Sequence, residues 1–181
     1  MPAQRYTTTA ILLHWLMFLL IAASFTLGLT MVDLPLSPTK LKYVSWHKWV
    51  GVTVFLLAVV RVAWRLGHPP PPAAIPAWQR RAAAVAHGML YGLIVATPLS
   101  GWIYSSAAGV PTVYLGLVQL PDLVTRDAGL ADALKMLHFA LTSTLGVLVL
   151  VHAAAALKHH FIDRDGVLLR MLPRLGPDGR R

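Results

Sequence analysis

Histidine is the residue of this sequence with the clearest chemical potential, because four histidines lie inside or beside long apolar runs. They are His14, His47, His138 and His152. His138 and His152 are 14 residues apart, which in an α-helix places them on one face, at heights that differ by about 21 Å. Imidazole binds both haem iron and zinc, so two metal centres stacked between helices are one interpretation. Hydrogen bonds between helices are the other.

The composition is that of an integral membrane protein. Hydrophobic residues make up 56% of the 181 residues and charged residues 13%, whereas an average soluble domain has about 25% charged residues. We predict a single domain over 1–181. The absence of cysteine excludes disulfides, iron–sulfur clusters and covalently attached haem. The net charge of +9 is typical of basic cytoplasmic loops in a membrane protein, so no nucleic-acid partner is expected.

Four segments are apolar over the length of about 20 residues that a membrane span needs. They are about 10–30, 46–65, 83–105 and 134–157. Such runs predict helices, so the expected fold class is an all-α membrane protein with a bundle of four transmembrane helices. The first run is too long, and has too little flanking positive charge, for a cleaved signal peptide. The connection at 106–133 contains the amphipathic stretch VYLGLVQL, which we expect to lie on the membrane surface.

The basic residues are distributed unevenly between the two sides of this predicted bundle. Eleven of the 16 lie on the side that also has both termini, and the positive-inside rule places that side in the cytoplasm. His14 and His152 then lie near the inner ends of their helices, and His47 and His138 near the outer ends. Only two histidines are expected at each depth, fewer than a zinc site needs. Two haems, each held by one histidine from each of two helices, are therefore favoured.

Helical spacing brings a few other residues to these two depths. Gly28 follows His14 by 14 residues, and Arg61 follows His47 by 14 residues, so each shares the face of its histidine at the opposite depth. Gly51 lies one turn after His47. Such glycines would let a macrocycle approach the backbone, or they would simply pack helices. The guanidinium of Arg61 suits a haem propionate, with a lipid phosphate as the alternative partner.

Several stretches give the sequence a specific resemblance that covers nearly the whole chain. They are WHKWVG, AHGMLYGLIVATPLSGW, KMLHFALTSTLG and, the longest, HAAAALKHHFIDRDGVLLRMLPR. With these stretches the chain resembles the bacterial cytochrome b561 proteins, and within them the superoxide oxidase branch. The resemblance implies a four-helix protein of the bacterial inner membrane with two haem b groups, whose iron ligands would be His14, His47, His138 and His152. It also implies electron transfer from superoxide to ubiquinone, with release of oxygen.

The resemblance and the predicted depths together assign roles at the two ends of the bundle. The outer haem would accept electrons from superoxide, and the inner haem would reduce ubiquinone. A ubiquinone site is implied near His87 and His159. At the outer end we expect Lys48 to steer the superoxide anion, because it directly follows a haem ligand and belongs to a cluster with Lys40 and Lys42. The alternative is that these lysines form an ordinary solvated surface.

Two other functions remain open at this point. A four-helix cytochrome could be the membrane anchor of a hydrogenase or dehydrogenase, passing electrons between quinone and that partner. A protein without redox chemistry could use its histidines only as hydrogen-bonding groups, and it would show no haem spectrum. A superoxide oxidase would have superoxide, ubiquinone and the lipid bilayer as partners, and no obligatory protein partner. Both of its termini would be cytoplasmic.

Overall fold

Four long helices form the bundle in the computed structural model, which describes residues 5–73 and 75–173. They are α1 (Thr8–Asp33), α2 (Pro38–Gly67), α3 (Ala77–Ala107) and α4 (Ala128–Lys158). The four predicted spans lie inside these helices, and each helix is long and apolar enough to cross a bilayer. This confirms the all-α membrane bundle. Three arginines that contribute to the predicted orientation lie outside the described residues: Arg174, Arg180 and Arg181.

Local sequence signals determine where the helices begin and end. Thr7, Ser37 and Asp127 each precede a helix and accept a hydrogen bond from the backbone N–H three residues later, at 3.2, 3.2 and 2.9 Å. Each bond satisfies a donor that the helix itself leaves unpaired. α2 ends before the proline run that begins at Pro69. The ring of a proline clashes with the backbone of the preceding residue, which therefore avoids the helical conformation. After α3, Gly109 has a φ of +69°, the left-handed position that closes many helices.

The helices pack in two principal pairs. α1 packs mainly on α2, α3 packs mainly on α4, and α2 also contacts α3. A small buried core that includes Met17, Ile21, Val54 and Ala58 joins α1 to α2. Many of the other large apolar side chains face outward, and Phe139 is 73% exposed. Contiguous apolar surface of this kind is unusual for a soluble monomer but suits lipid, so the chain is a multi-pass membrane protein.

The connection between α3 and α4 contains a β-hairpin. Strand β1 (Val113–Tyr114) pairs antiparallel with β2 (Val118–Gln119). Gly116, with a φ of +72°, allows the tight turn between them because it has no Cβ. The indole N–H of Trp49 donates to the carbonyl of Val113 at 2.7 Å. The stretch that was expected to lie along the membrane surface is therefore a hairpin attached to α2.

After α4, the chain folds back across the end of the bundle at which α1 begins. A π-helical turn (His159–Asp163) and a 3-10 turn (Leu168–Arg170) follow α4. The indole N–H of Trp15 on α1 then donates to the carbonyl of Met171 at 2.7 Å. This contact joins the C-terminal segment to the first turns of α1, so both lie at the same end of the bundle.

Candidate functional site

The four histidines of the apolar runs form two pairs inside the bundle. His14 on α1 faces His152 on α4, with ring centroids 6.2 Å apart and ring planes at 72°. His47 on α2 faces His138 on α4, with centroids also 6.2 Å apart and planes at 90°. The structure therefore brings together the same residues that the depth argument paired. Helix α4 supplies one member of each pair.

The separation within each pair suits one iron ion held from two sides. A bond between a metal ion and an imidazole nitrogen is about 2.0–2.1 Å long, so two imidazoles on opposite sides of one ion have centroids about 6 Å apart. Both pairs have this separation. Imidazoles are axial ligands of haem iron, and facing helices of a bundle are a common source of such ligands. The residues present therefore fit two haem groups, one for each pair.

Backbone carbonyls orient the outer pair. Nδ1 of His47 lies 3.0 Å from the carbonyl oxygen of Ser24, and Nδ1 of His138 lies 3.1 Å from that of Thr97. The hydroxyl of Ser100 lies 3.0 Å from the same nitrogen of His138. Because a carbonyl oxygen only accepts, Nδ1 of each ring carries the hydrogen and Nε2 keeps its lone pair. Ligating histidines in metal sites are commonly held in this way.

Two glycines allow the outer imidazoles to lie close to neighbouring helices. A Cβ atom added at Gly28 would be 3.4 Å from Cε1 of His47, and one added at Gly101 would be 3.0 Å from Cε1 of His138. Helical spacing predicted the position of Gly28. Gly51, the other glycine predicted there, has no described atom within 4 Å of such a Cβ. Gly101, which makes the closer approach of the two, was not predicted from the sequence.

Arg61 distinguishes the inner pair from the outer one. Its Nη2 lies 3.3 Å from Nδ1 of His14, and its Nε donates to the hydroxyl of Tyr91 at 3.1 Å. The guanidinium of Arg65 lies over the same phenol ring, 5.4 Å from its centroid. Because a guanidinium only donates, Nδ1 of His14 is the acceptor in this contact and Nε2 carries the hydrogen. To hold iron through Nε2, His14 would need the opposite tautomer, and Arg61 would then need an acceptor other than Nδ1 of His14.

A third histidine belongs to the inner cluster. The ring of His87 on α3 lies 5.3 Å from that of His152, centroid to centroid. The expectation of only two histidines at each depth is therefore wrong at the inner end, because α3 packs beside α4 there. Among the described residues, only His159, Asp163 and Asp165 form a group of three candidate metal ligands whose donor atoms lie within 4.8 Å of one another. His87 does not form such a group with the inner pair. We therefore interpret His87 as a neighbour of the inner pair and not as a third ligand.

His159 begins the π-helical turn and is surrounded by charge. Its Nδ1 lies 2.5 Å from Oδ2 of Asp165 and 3.3 Å from Oδ2 of Asp163. The ammonium group of Lys158 lies 2.6 Å from Asp163, so a cation is already paired with that carboxylate. The group is therefore a charge-paired cluster and not an open metal site. The side chain of His159 is only 15% exposed.

The lysines near the outer pair make contacts with the backbone. Nζ of Lys48 donates to two carbonyls of the α3–α4 connection, at 3.1 and 3.3 Å. Nζ of Lys40 donates at 2.6 Å to the carbonyl that directly follows α1, whereas Lys42 is exposed. The carboxylate of Asp122 interacts electrostatically with Lys48. The positive charge of Lys48, which directly follows His47 in sequence, is thus held against the α3–α4 connection, and one acidic group opposes it.

Comparison with known proteins gives matches along nearly the whole chain. The family profile described as prokaryotic cytochrome b561 matches residues 5–174. Cytochrome b561 homolog 2 of Escherichia coli (strain K12) is 35% identical over 185 residues, covering 97% of this chain and 95% of that protein. Cytochrome b561 homolog 1 of the same organism is 34% identical, covering 94% and 98%. A protein of Yersinia pestis named probable superoxide oxidase CybB is 29% identical, covering 94% and 97%.

Proposed function

Because this chain belongs to the prokaryotic cytochrome b561 family and is a transmembrane b-type cytochrome, we propose that it transfers electrons from superoxide to ubiquinone. Two superoxide ions would each lose one electron and become oxygen. One ubiquinone would take up those two electrons and two protons and become ubiquinol. A relative named probable superoxide oxidase, 29% identical to this chain, supports superoxide as the donor.

The observation that best supports this proposal is the matched geometry of the two histidine pairs. In each pair the ring centroids are 6.2 Å apart, so His47 with His138 would hold an outer haem b and His14 with His152 an inner one. Haem iron supplies one-electron redox chemistry when it is bound. On α4 the two ligands differ in height by about 21 Å. One chain could therefore accept electrons from superoxide at one end of the bundle and pass them to ubiquinone at the other.

At the outer end, the chain would attract and orient a small anion. Lys48 lies next to His47 in sequence, and its ammonium group is fixed by carbonyls of the α3–α4 connection. A fixed positive charge beside the electron-accepting centre increases the local concentration of superoxide. The hydrogen bonds from Nδ1 of His47 and His138 to carbonyls would keep both imidazoles oriented during electron transfer.

At the inner end, the chain would neutralise propionates and handle protons. With Nε2 of His14 holding iron, the guanidinium of Arg61 would need another acceptor, and a haem propionate would suit it in charge and shape. His87 lies beside His152, where its imidazole could donate a hydrogen bond to a quinone oxygen. His159, on the turn that follows the same helix, is the second residue that we assign to the ubiquinone site.

The distribution of basic residues supports an orientation with both termini in the cytoplasm. We therefore place the protein in the bacterial inner membrane, with the outer pair toward the periplasm. In this orientation superoxide would be oxidised on the outer side, and ubiquinone would be reduced from the cytoplasmic side. We expect no obligatory protein partner, because one chain would hold both haems.

The experiment that tests this function uses the purified protein in detergent, with a soluble ubiquinone analogue and an enzymatic source of superoxide. Haem absorbance and ubiquinol formation are followed together. We expect superoxide to reduce the haem and ubiquinone to reoxidise it, with one ubiquinol formed for two superoxide ions. His138→Leu should abolish reduction by superoxide. Phe139→Leu is the matched control, since Phe139 is the next residue of α4 and its side chain is 73% exposed, and it should behave like the unmodified protein.

Reduction of the haem by dithionite but not by superoxide would contradict the proposal. That result would favour the alternative in which the chain is the haem-containing membrane anchor of a dehydrogenase or hydrogenase. Absence of any haem spectrum in the purified protein would contradict both functions.

A further inference from the structure

We infer that Asp165 is a positioning residue that holds His159 in the one orientation and tautomer from which it can give a proton to the reduced quinone. This inference rests on the proposed function, because it assumes that ubiquinone is reduced beside His159. It adds a specific residue and a specific task to that site, and it comes from the unusual backbone at the end of α4.

The backbone after α4 turns Asp165 back onto the histidine six residues before it. The helix changes to a π-helical turn at His159. This geometry is rare in proteins overall, but where it occurs it is often at a functional site. Arg164 then has a φ of +51°, and Gly166 a φ of +74°. A left-handed conformation is uncommon for a residue with a Cβ, so Arg164 is held there by its surroundings. The backbone N–H groups of Arg164 and Asp165 both point at the carbonyl of His159.

The two oxygens of the Asp165 carboxylate have separate partners. Oδ2 lies 2.5 Å from Nδ1 of His159, and Oδ1 accepts a hydrogen bond from the backbone N–H of Val167 at 3.1 Å. The second bond fixes the carboxylate plane, so the first bond fixes the imidazole. The side chain of Asp165 is 19% exposed, so water can still reach it.

Asp163 differs from Asp165 although it is on the same turn. Both of its oxygens accept from Nζ of Lys158, at 2.6 and 2.8 Å, and its distance to Nδ1 of His159 is 3.3 Å. Its charge is therefore largely compensated by Lys158. Asp165 is the principal partner of the imidazole, and Asp163 provides a matched acidic residue for comparison.

The hydrogen bond determines what the other ring nitrogen can do. A carboxylate only accepts, so Nδ1 of His159 carries a hydrogen and Nε2 is the nitrogen that gains or loses a proton. In the proposed step, the imidazolium form of His159 gives its Nε2 proton to the oxygen of the two-electron-reduced quinone, and the neutral imidazole then takes a new proton from water. One such transfer supplies one of the two protons that ubiquinol needs.

The experiment measures reoxidation of the reduced, purified protein by a ubiquinone analogue at several concentrations. Asp165→Asn should lower the maximal rate at least tenfold, the range found when a group that orients a functional histidine is removed, and leave the half-saturating quinone concentration nearly unchanged. Asp165→Glu keeps the acceptor and should restore most of the rate. Asp163→Asn should remain within about twofold of the unmodified protein, because Asp163 pairs mainly with Lys158 and lies farther from Nδ1 of His159, at 3.3 Å.

The variant His159→Leu distinguishes an error in the location of the ubiquinone site from an error in the role of Asp165. If His159→Leu leaves reoxidation by quinone unchanged, ubiquinone is not reduced at this histidine, and the site assignment itself fails. If His159→Leu slows reoxidation but Asp165→Asn does not, the site stands and the role of Asp165 is wrong. Equal losses in Asp165→Asn and Asp163→Asn, or no recovery in Asp165→Glu, would show that the turn is needed only for folding and would also overturn the inference.

Discussion

Replacement of Gly101 by alanine should weaken binding of the outer haem without destabilising the fold. An added Cβ would lie 3.0 Å from Cε1 and 3.2 Å from Nδ1 of His138, whereas non-bonded carbon atoms prefer about 3.5–4.0 Å. The imidazole must therefore move away from α3 by about 0.4 Å. The imidazole of His138 donates to the carbonyl of Thr97, which is on α3 one turn before Gly101. Movement of the imidazole away from α3 therefore lengthens this hydrogen bond.

The size of the effect follows from that bond. The distance from Nδ1 of His138 to the carbonyl of Thr97 is 3.1 Å, so a shift of about 0.4 Å takes it past the normal limit of about 3.2 Å. Loss of one such bond costs about 1 kcal/mol, or about fivefold in haem affinity. The same substitution removes a glycine from a helix interior, which stabilises the helix by about 1 kcal/mol. The melting temperature should therefore change little.

The assay is haem retention, measured as transfer of haem to an acceptor protein, together with thermal unfolding. Gly92→Ala is the matched control, because Gly92 is on the same helix and, among the described residues outside its own stretch of helix, nothing lies within 4 Å of an added Cβ. It should raise the melting temperature and leave haem retention unchanged. Gly28→Ala, with a contact of 3.4 Å to His47, should lie between the two. Equal haem retention in Gly101→Ala and Gly92→Ala would refute the argument that Gly101 makes room for the imidazole.

Three further predictions concern the two ends of the bundle. His87→Leu should slow haem oxidation by quinone and leave reduction by superoxide nearly intact; equal loss of both steps would indicate a structural role. Lys48→Glu should lower the second-order rate with superoxide and flatten its dependence on ionic strength, whereas Asp122→Asn should raise that rate. If stopped-flow rates respond to neither change nor to salt, anion steering by Lys48 is wrong. Arg61→Gln should lower the midpoint potential of the inner haem, because a positive charge near it favours the reduced state, and Arg61→Lys should preserve it; identical potentials in a redox titration would exclude Arg61 as a propionate partner.

Helical periodicity was sufficient to predict the bundle and the pairing of its histidines. Residues 14 apart share a helix face, so the heights of His138 and His152 could be deduced without tertiary information. The position of Arg61 at the inner depth followed in the same way. These predictions succeed because they need only the rise along each helix and the alternating direction of successive spans.

Contacts between helices could not be predicted from such spacing. The groups that orient the outer imidazoles are backbone carbonyls of Ser24 and Thr97, and a carbonyl has no signature in the sequence. A weak signal existed, since Ser24 with Gly28 and Thr97 with Gly101 are small or polar residues one turn apart in apolar helices. The approach of His87 to the inner pair depends on how α3 packs against α4. The fold-back of Asp165 onto His159 depends on a left-handed Arg164, which no sequence pattern indicated.

Haem content per chain is the measurement that tests the central claim most directly. The protein is purified, and haem is quantified by the pyridine haemochrome spectrum against protein from amino-acid analysis. Two histidine pairs with equal centroid separations of 6.2 Å predict two haem b groups per chain. They also predict one remaining haem when any single ligand is replaced by leucine, the four ligands being His14, His47, His138 and His152. A single haem in the unmodified protein, or two full haems in any of these four variants, would contradict the account.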